Sequence, residues 1–485
     1  MIYLLILFPL AMAVIALALP SNRLRPWLLP VGALGHLALV VAAIIEPPGN
    51  IVSGESGWLQ LDALGKVILG FVSLLFFLCS LYAPGYLAFR SDRPNRAFCA
   101  NLFVSLSTMT LVTLSRHLGL MWVAMEATTL ISAPAIYFNH TSRSLEATWK
   151  FLLIGSVGIA LALLGSLFLA YSSLKANLPS TLLFDQLVLD APKLSPPWLH
   201  AAFVLLFIGY GTKMGLAPMH TWKPDAYGEA PGLVGTLLAG GVTSCAFLAI
   251  LRVYQICRAG PEAESARHVM IFMGLLSMAV AAVFLVRQRD FKRMLAYSSV
   301  EHMGILVLGI GIGGIATYGA LLHLINNGLT KGVLFLSAGN IHRAYGSKSI
   351  DQVRGALQRV PLSGALFLAG FLAITGSPPF GPFVSEFTIA RSALESRQFV
   401  AGALFLTLLG IVFLGMGNTV LAVVQGTPPA LPKTSENGEG KAKTFEDNVS
   451  TGAPILIFLA IVLMLGIWIP LPLDALLREA AALLR

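Results

Sequence analysis

The chain is written in long apolar runs, broken at short intervals by proline, glycine and clustered charge, with little polar/apolar alternation over strand length. Runs of that kind suit helices that cross a bilayer, because a span needs roughly 20 apolar residues. Inside lipid only helices or closed barrels satisfy the backbone, and the alternating strands of about 10 residues that mark barrels are missing. The pattern predicts an all-α integral membrane protein of about fourteen spans. They begin near Ile2, Pro26, Leu64, Phe98, Leu118, Trp149, Leu199, Gly232, Val269, Val300, Gly314, Leu362, Phe383 and Pro454. The first run has no basic residues ahead of it and is followed by span after span, so it reads as a membrane helix and not as a signal peptide.

Composition supports this. Of 485 residues, 56% are hydrophobic and 11% charged, and the mean hydropathy is +0.79, beyond the range of soluble domains. The formal charge of +9 does not point to nucleic acid, because most basic residues lie in short loops between runs. Loops after odd-numbered runs hold Arg23 and Arg25, Arg90, Arg93 and Arg96, Arg143 and Lys150, Lys223, Arg287 to Arg293, Arg343 to Arg359, and Lys433 to Lys443. Even-numbered loops hold acids such as Glu46, Glu55, Asp62, Asp185 and Asp190. By the positive-inside rule the odd loops face the cytoplasm and both termini lie outside. Residues 426–451, rich in Pro, Lys, Glu, Gly and Asn, read as a flexible cytoplasmic loop. Cys79, Cys99, Cys245 and Cys257 have no metal-ligand spacing and read as core residues.

Two runs are interrupted, the seventh at Gly215-Leu-Ala-Pro218 and the twelfth at Gly376-Ser-Pro-Pro-Phe-Gly-Pro382. Such breaks free backbone groups that lipid cannot satisfy, so they persist only where protein or water surrounds them. Two broken helices five spans apart are the sequence mark of an inverted-repeat transporter with its site at mid-depth; plain proline kinks in packed helices are the alternative.

Ionisable residues inside such runs cost at least a few kcal/mol each. Glu126 lies deep in the fifth run, and Lys213 just before the first break. His323 and Lys331 share the eleventh run with Asn327, at spacings of four that put all three on one helical face. His302 follows Glu301 on the tenth run, and Glu386 follows the second break. Burial disfavours the charged form of lysine and glutamate alike, and an opposite charge nearby restores it, so a Glu126/Lys213 pair could act as a proton switch. Histidine titrates near neutrality unaided, which suits His302 and His323 to a relay. The bland readings are that the lysines snorkel to the headgroups, that His302 is an interfacial histidine, and that Glu386 is a charge at a helix N-terminus. His220 and Lys223 read as parts of a helix end and loop, first as structural residues and alternatively as groups that cap the helix or guide protons at the exit.

Lys213-Met-Gly-Leu-Ala-Pro-Met-His220-Thr-Trp-Lys-Pro-Asp-Ala226 resembles the seventh-helix signature of the antiporter-like subunits of respiratory complex I and of Mrp-type cation/proton antiporters. Asp290 to Gly304, His323 to Asn340 and Gly381 to Phe387 match in the expected order. Trp122 to Thr129, Ser144 to Lys150 and Asn326 to Lys331 look most like component F of hydrogenase-4, in the formate hydrogenlyase and group 4 membrane-bound [NiFe] hydrogenase branch. The resemblance implies fourteen helices: three in residues 1–96, a five-helix repeat in 97–254, its inverted copy in 268–425, and a last helix with a short tail in 452–485. It implies that Glu126 and Lys213 form the coupling pair and that Lys331 is a central relay. It also implies that the chain is one subunit of a redox-driven complex in a bacterial or archaeal inner membrane. Two departures stand out: Ser244 occupies the place of an eighth-helix lysine, and Asn327 that of a second histidine.

The sequence contains no cysteine cluster, nucleotide loop or haem motif, so no cofactor or metal is expected in this chain. Iron–sulfur and NiFe or flavin centres are expected in partner subunits, membrane and peripheral. The expected function is proton translocation, with sodium an open alternative cargo. The rivals are a Mrp-type sodium/proton antiporter or inorganic-carbon uptake subunit, and a structural membrane anchor.

Overall fold

A computed structural model describes residues 1–45, 57–91, 93–429 and 445–484. Glu46, Glu55, Lys433, Lys441, Lys443 and most of the polar loop expected at 426–451 lie outside the described residues. The helices run in order α1 (Ile2–Ala18), α2 (Arg25–Ile45), α3 (Ala63–Phe89), α4 (Arg96–Leu114), α5 (Leu118–Ile136), α6 (Ser142–Lys175) and α7 (Phe184–Asp190). Next come α8 (Pro196–Met214), α9 (Trp222–Glu229), and α10 (Gly232–Thr236), which continues through a π-helical turn into α11 (Thr243–Ala259). Then follow α12 (Ala263–Leu285), α13 (Phe291–Ile312), α14 (Ile315–Tyr345), α15 (Ala356–Arg359), α16 (Pro361–Ile374), α17 (Gly381–Glu395), α18 (Phe399–Val424), α19 (Val449–Ile467) and α20 (Leu471–Ala482). Extended pairing among the described residues is limited to isolated bridges such as Asp290 with Ser349.

Among the described residues, ten helical stretches are long and apolar enough to cross a membrane, and α1 and α16 are apolar but shorter. The ten leave out α8 and α14, which carry Lys213, His323 and Lys331, because polar residues dilute their hydropathy. Protein, not lipid, surrounds that polarity. In α14 an unbroken stretch from Gly319 to Ala338 is buried, and Phe291–Ile312 and Gly232–Ala259 are wholly enclosed across their spanning windows. The outward faces of the peripheral helices are apolar instead, with Val283 73%, Val400 76% and Leu414 71% exposed, as lipid-facing surfaces require.

Small residues set the close helix pairs, as is usual in bilayers. A Cβ on Gly158 of α6 would stand 2.6 Å from Thr212 Cβ of α8, and one on Gly209 would stand 2.6 Å from the Ala162 nitrogen. The α12 to α13 contact is built alike: a Cβ on Gly304 would meet the Gly274 carbonyl at 2.6 Å.

Caps move two boundaries away from the apolar pattern. The Asp290 carboxylate accepts from the Lys292 and Arg293 amides at 2.8 and 3.0 Å, so α13 begins at Phe291 rather than near Val300, and His302 stands in mid-helix. The run that begins near Phe383 is divided, because Arg397 at φ 58 turns the chain between α17 and α18. At the start of α3, Asp62 caps the Gly65 amide at 2.9 Å and takes a bidentate pair from buried Arg252 at 2.5 and 2.6 Å. Arg116 joins at 3.1 Å. Burial pushes the Asp62 carboxyl up, but these two guanidinium groups hold it well below the usual carboxylate range.

Candidate functional site

The first break places the first pair. Gly215, at φ 79, ends α8 in the left-handed conformation, and its amide and that of Leu216 bond back to the Gly211 carbonyl at 2.8 and 2.9 Å, a glycine-terminated helix end. Freed groups around the break find partners inside the protein: the Trp222 indole donates to the Thr212 carbonyl at 2.8 Å, and the Ala217 amide to Ser277 Oγ at 3.0 Å. In the last turn of α8, Lys213, 2% exposed, reaches Glu126 of α5 at 3.1 Å. The second Glu126 oxygen accepts from Ser156 Oγ at 2.8 Å. Gly155 of α6 leaves room for the ammonium, since a Cβ there would lie 3.0 Å from Lys213 Nζ.

The second group is gathered by α13, α14 and α17. Lys331 is fully buried and donates to Ser298 Oγ at 2.8 Å and to the Leu295 carbonyl at 3.3 Å, so it turns into the protein and does not snorkel. His302 Nδ1 and His323 Nε2 are 3.0 Å apart, and His323 Nδ1 lies 2.9 Å from Ser385 Oγ. Each contact needs one nitrogen or hydroxyl to donate and the other to accept, so protonation of one imidazole is felt by the next. Glu301 Oε2 stands 3.9 Å from His302 Nε2.

Glu386 lies in the second turn of α17, 6% exposed, and faces the two histidines: one donor atom each from His302, His323 and Glu386 lie within 4.8 Å of one another. This is the one metal-competent grouping of such side chains among the described residues. Gly376, at φ 67, makes space for Glu386, because a Cβ there would meet Oε2 at 2.1 Å. The second break is satisfied from α14, where Asn326 Nδ2 donates to the Gly381 carbonyl at 2.8 Å.

The six expected residues thus fall into two sets, Glu126 with Lys213 and Lys331 with His302, His323 and Glu386. Both departures are also placed. Ser244 Oγ turns back to the Gly240 carbonyl of its own helix at 2.5 Å, and Asn327 is buried on α14 between His323 and Lys331. Residues that the apolar pattern did not single out share the interior: Lys223, 0% exposed, Ser298 and Ser299, and Lys292, whose ammonium donates to the Ala230 carbonyl at 2.7 Å. Lys223 and Lys292 lie among loop-like charges in sequence, and only the first break and the Asp290 cap carry them inside.

Residues 115–413 match the family described as NADH:quinone oxidoreductase/Mrp antiporter, TM. A hydrogenase-4 component F homolog from Methylacidiphilum infernorum is 33% identical over 434 residues, covering 87% of this chain and 88% of that protein. Among solved structures, a chain of the membrane-bound sulfane sulfur reductase, an archaeal respiratory membrane complex, has a TM-score of 0.86 at 20% identity, with 100% of this chain and 97% of that chain covered. A chain of the Mrp complex from a Dietzia species has a TM-score of 0.83 at 20% identity, with 99% and 96% covered. These relatives are subunits of multi-subunit membrane assemblies, and their folds continue over nearly the whole of this chain. By the extent of the family match and the identity to its relatives, the chain belongs to the NADH:quinone oxidoreductase/Mrp antiporter membrane family.

Proposed function

We propose that the chain is a proton-translocating membrane subunit with no redox centre of its own, working within an energy-converting oxidoreductase complex of hydrogenase-4 or complex I type. The observation that carries this reading is the Glu126–Lys213 ion pair, 3.1 Å long, on two helices of an otherwise apolar scaffold. An opposite charge at that distance favours the protonated lysine, and separation of the pair favours release of its proton. Lys331, His323 and His302 continue the line, and Glu386 ends it beside the second break. Ser298 and Ser385 place a hydroxyl on Lys331 and on His323 respectively.

Joining the half-helices at the two breaks gives fourteen crossings, with inverted units of five in residues 97–254 and 268–425 and both termini outside. Iron–sulfur and NiFe or flavin centres belong to partner subunits in this reading, as does the redox reaction that moves the pair. The test is Glu126→Gln and Lys213→Met in the intact complex. Both variants assemble, and proton flux into vesicles falls at least tenfold; normal flux in assembled variants contradicts the reading. A gradient of sodium in place of protons would move the chain to Mrp-type exchange.

A further inference from the structure

We propose that Lys223 is a proton-relay residue joining the two sets of buried charges, a proposal that rests on the function given above. Lys223 lies in the first turn of α9, directly after the break, and is completely buried. Its side chain runs beneath the break: a Cβ on Gly215 would stand 2.3 Å from Lys223 Cε, 2.5 Å from Cδ and 2.9 Å from Nζ. Gly215 therefore does two things, ending the helix that carries Lys213 and leaving the space that Lys223 fills.

The far side of the ammonium meets α13, where Lys223 Nζ donates to Ser299 Oγ at 3.1 Å. The neighbouring hydroxyl, Ser298 Oγ, accepts from Lys331 Nζ at 2.8 Å. Adjacent serines of one helix thus hold a lysine from each half of the chain. The face of Tyr227 lies 5.8 Å from Lys223 Nζ, and among the described residues no carboxylate comes within ion-pair distance of it. A lysine kept only to support the fold would be expected to bury its charge against an acid. One held by a ring face and by the hydroxyl of the serine next in sequence to the one that holds Lys331 is suited to taking up a proton and passing it on.

The placement also accounts for Ser244. Its hydroxyl is committed to its own helix, so it offers no titratable group between Lys213 and Lys331, and Lys223 supplies one from the other side of the break. The step moves one proton and nothing else: a neutral Lys223 amine accepts it from the Lys213 side and returns it towards Lys331 through hydroxyl or water bridges.

The experiment is proton flux under an imposed potential into pyranine-loaded vesicles holding the complex purified through this chain. It compares the parent, Lys223→Met, Lys223→His and Glu126→Gln. Methionine keeps the volume without a titratable group, whereas imidazole takes and releases a proton near neutrality. The expected result is that Lys223→Met assembles normally and loses at least tenfold in flux, while Lys223→His keeps flux within about fivefold of the parent. Parent-like flux in Lys223→Met overturns the proposal, and so does equal loss in the two variants. If Lys223→Met does not assemble, Lys223→His decides alone; failure of both to assemble assigns Lys223 a structural role and also overturns it. Loss in Glu126→Gln with normal flux in Lys223→Met would remove this inference and leave the proposed function standing, whereas normal flux in Glu126→Gln would remove the function itself.

Discussion

At the residue scale, the arrangement of the buried charges depends on glycines as well as on the charges themselves. Gly155 sets the space around Lys213, with Thr129 Cγ2 also 3.1 Å from the position a Cβ would take. Gly155→Ala does not have to disturb the backbone, because the atoms in its way are the free end of a lysine and the methyl group of Thr129, both on side chains. It is expected to displace the ammonium from Glu126, lower proton flux severalfold and leave thermal stability nearly unchanged, a split that paired flux and melting measurements on the purified complex would show. Equal loss of both would mean that the glycine serves packing alone. Glu126 and Lys213 were legible from sequence because a charge deep in an apolar run needs a reason. Lys223 was legible only as a helix-end residue, structural or else capping the helix or guiding protons at an exit, since its neighbours Trp222, Pro224 and Asp225 resemble a helix end and loop; its complete burial was not legible.

At the element scale, each break is held by groups from other helices, Trp222 and Ser277 at the first and Asn326 at the second. The sequence locates both breaks through glycine and proline but says nothing of which side chains satisfy them, because Ser277 and Asn326 come from distant segments and Trp222 from beyond the break itself. A similar long-range device anchors α3, where Asp62 meets Arg252 of α11 and Arg116 from the turn before α5. Removing that carboxylate leaves buried Arg252 without its counter-charge, so Asp62→Asn is expected to destabilise the protein by about 3–5 kcal/mol. The pH dependence has a definite sign. A carboxyl held below its ordinary value stabilises the fold at neutral pH, and that contribution shrinks as pH falls below the ordinary aspartate pKa of about 3.9 towards the lower folded value. Melting curves of parent and Asp62→Asn should lie furthest apart near neutrality and converge in acid; a constant gap would mean that the carboxylate charge is not what matters.

At the scale of the whole molecule, the apolar pattern was enough to identify a multi-pass helical membrane protein, because bilayer thickness sets the length of each run. It placed the helices that matter most, with runs from near Leu199 and Gly314 where α8 begins at Pro196 and α14 at Ile315, but hydropathy alone does not mark them as spans. Polar side chains lower the hydropathy of α8 and α14, which are the helices that carry Lys213, His323 and Lys331. Nor could periodicity show that Lys331 turns inward to Ser298 while lipid-facing helices surround the centre. Adjacent serines of α13 hold Lys223 and Lys331. On the proposed route Lys331 is the residue through which protons pass to the histidines. Proton flux by the intact complex carrying Lys331→Met, reconstituted in vesicles, is the most direct measure of the route. The expected result is normal assembly with flux reduced at least tenfold, and parent-level flux from the assembled variant would contradict a path through the buried line.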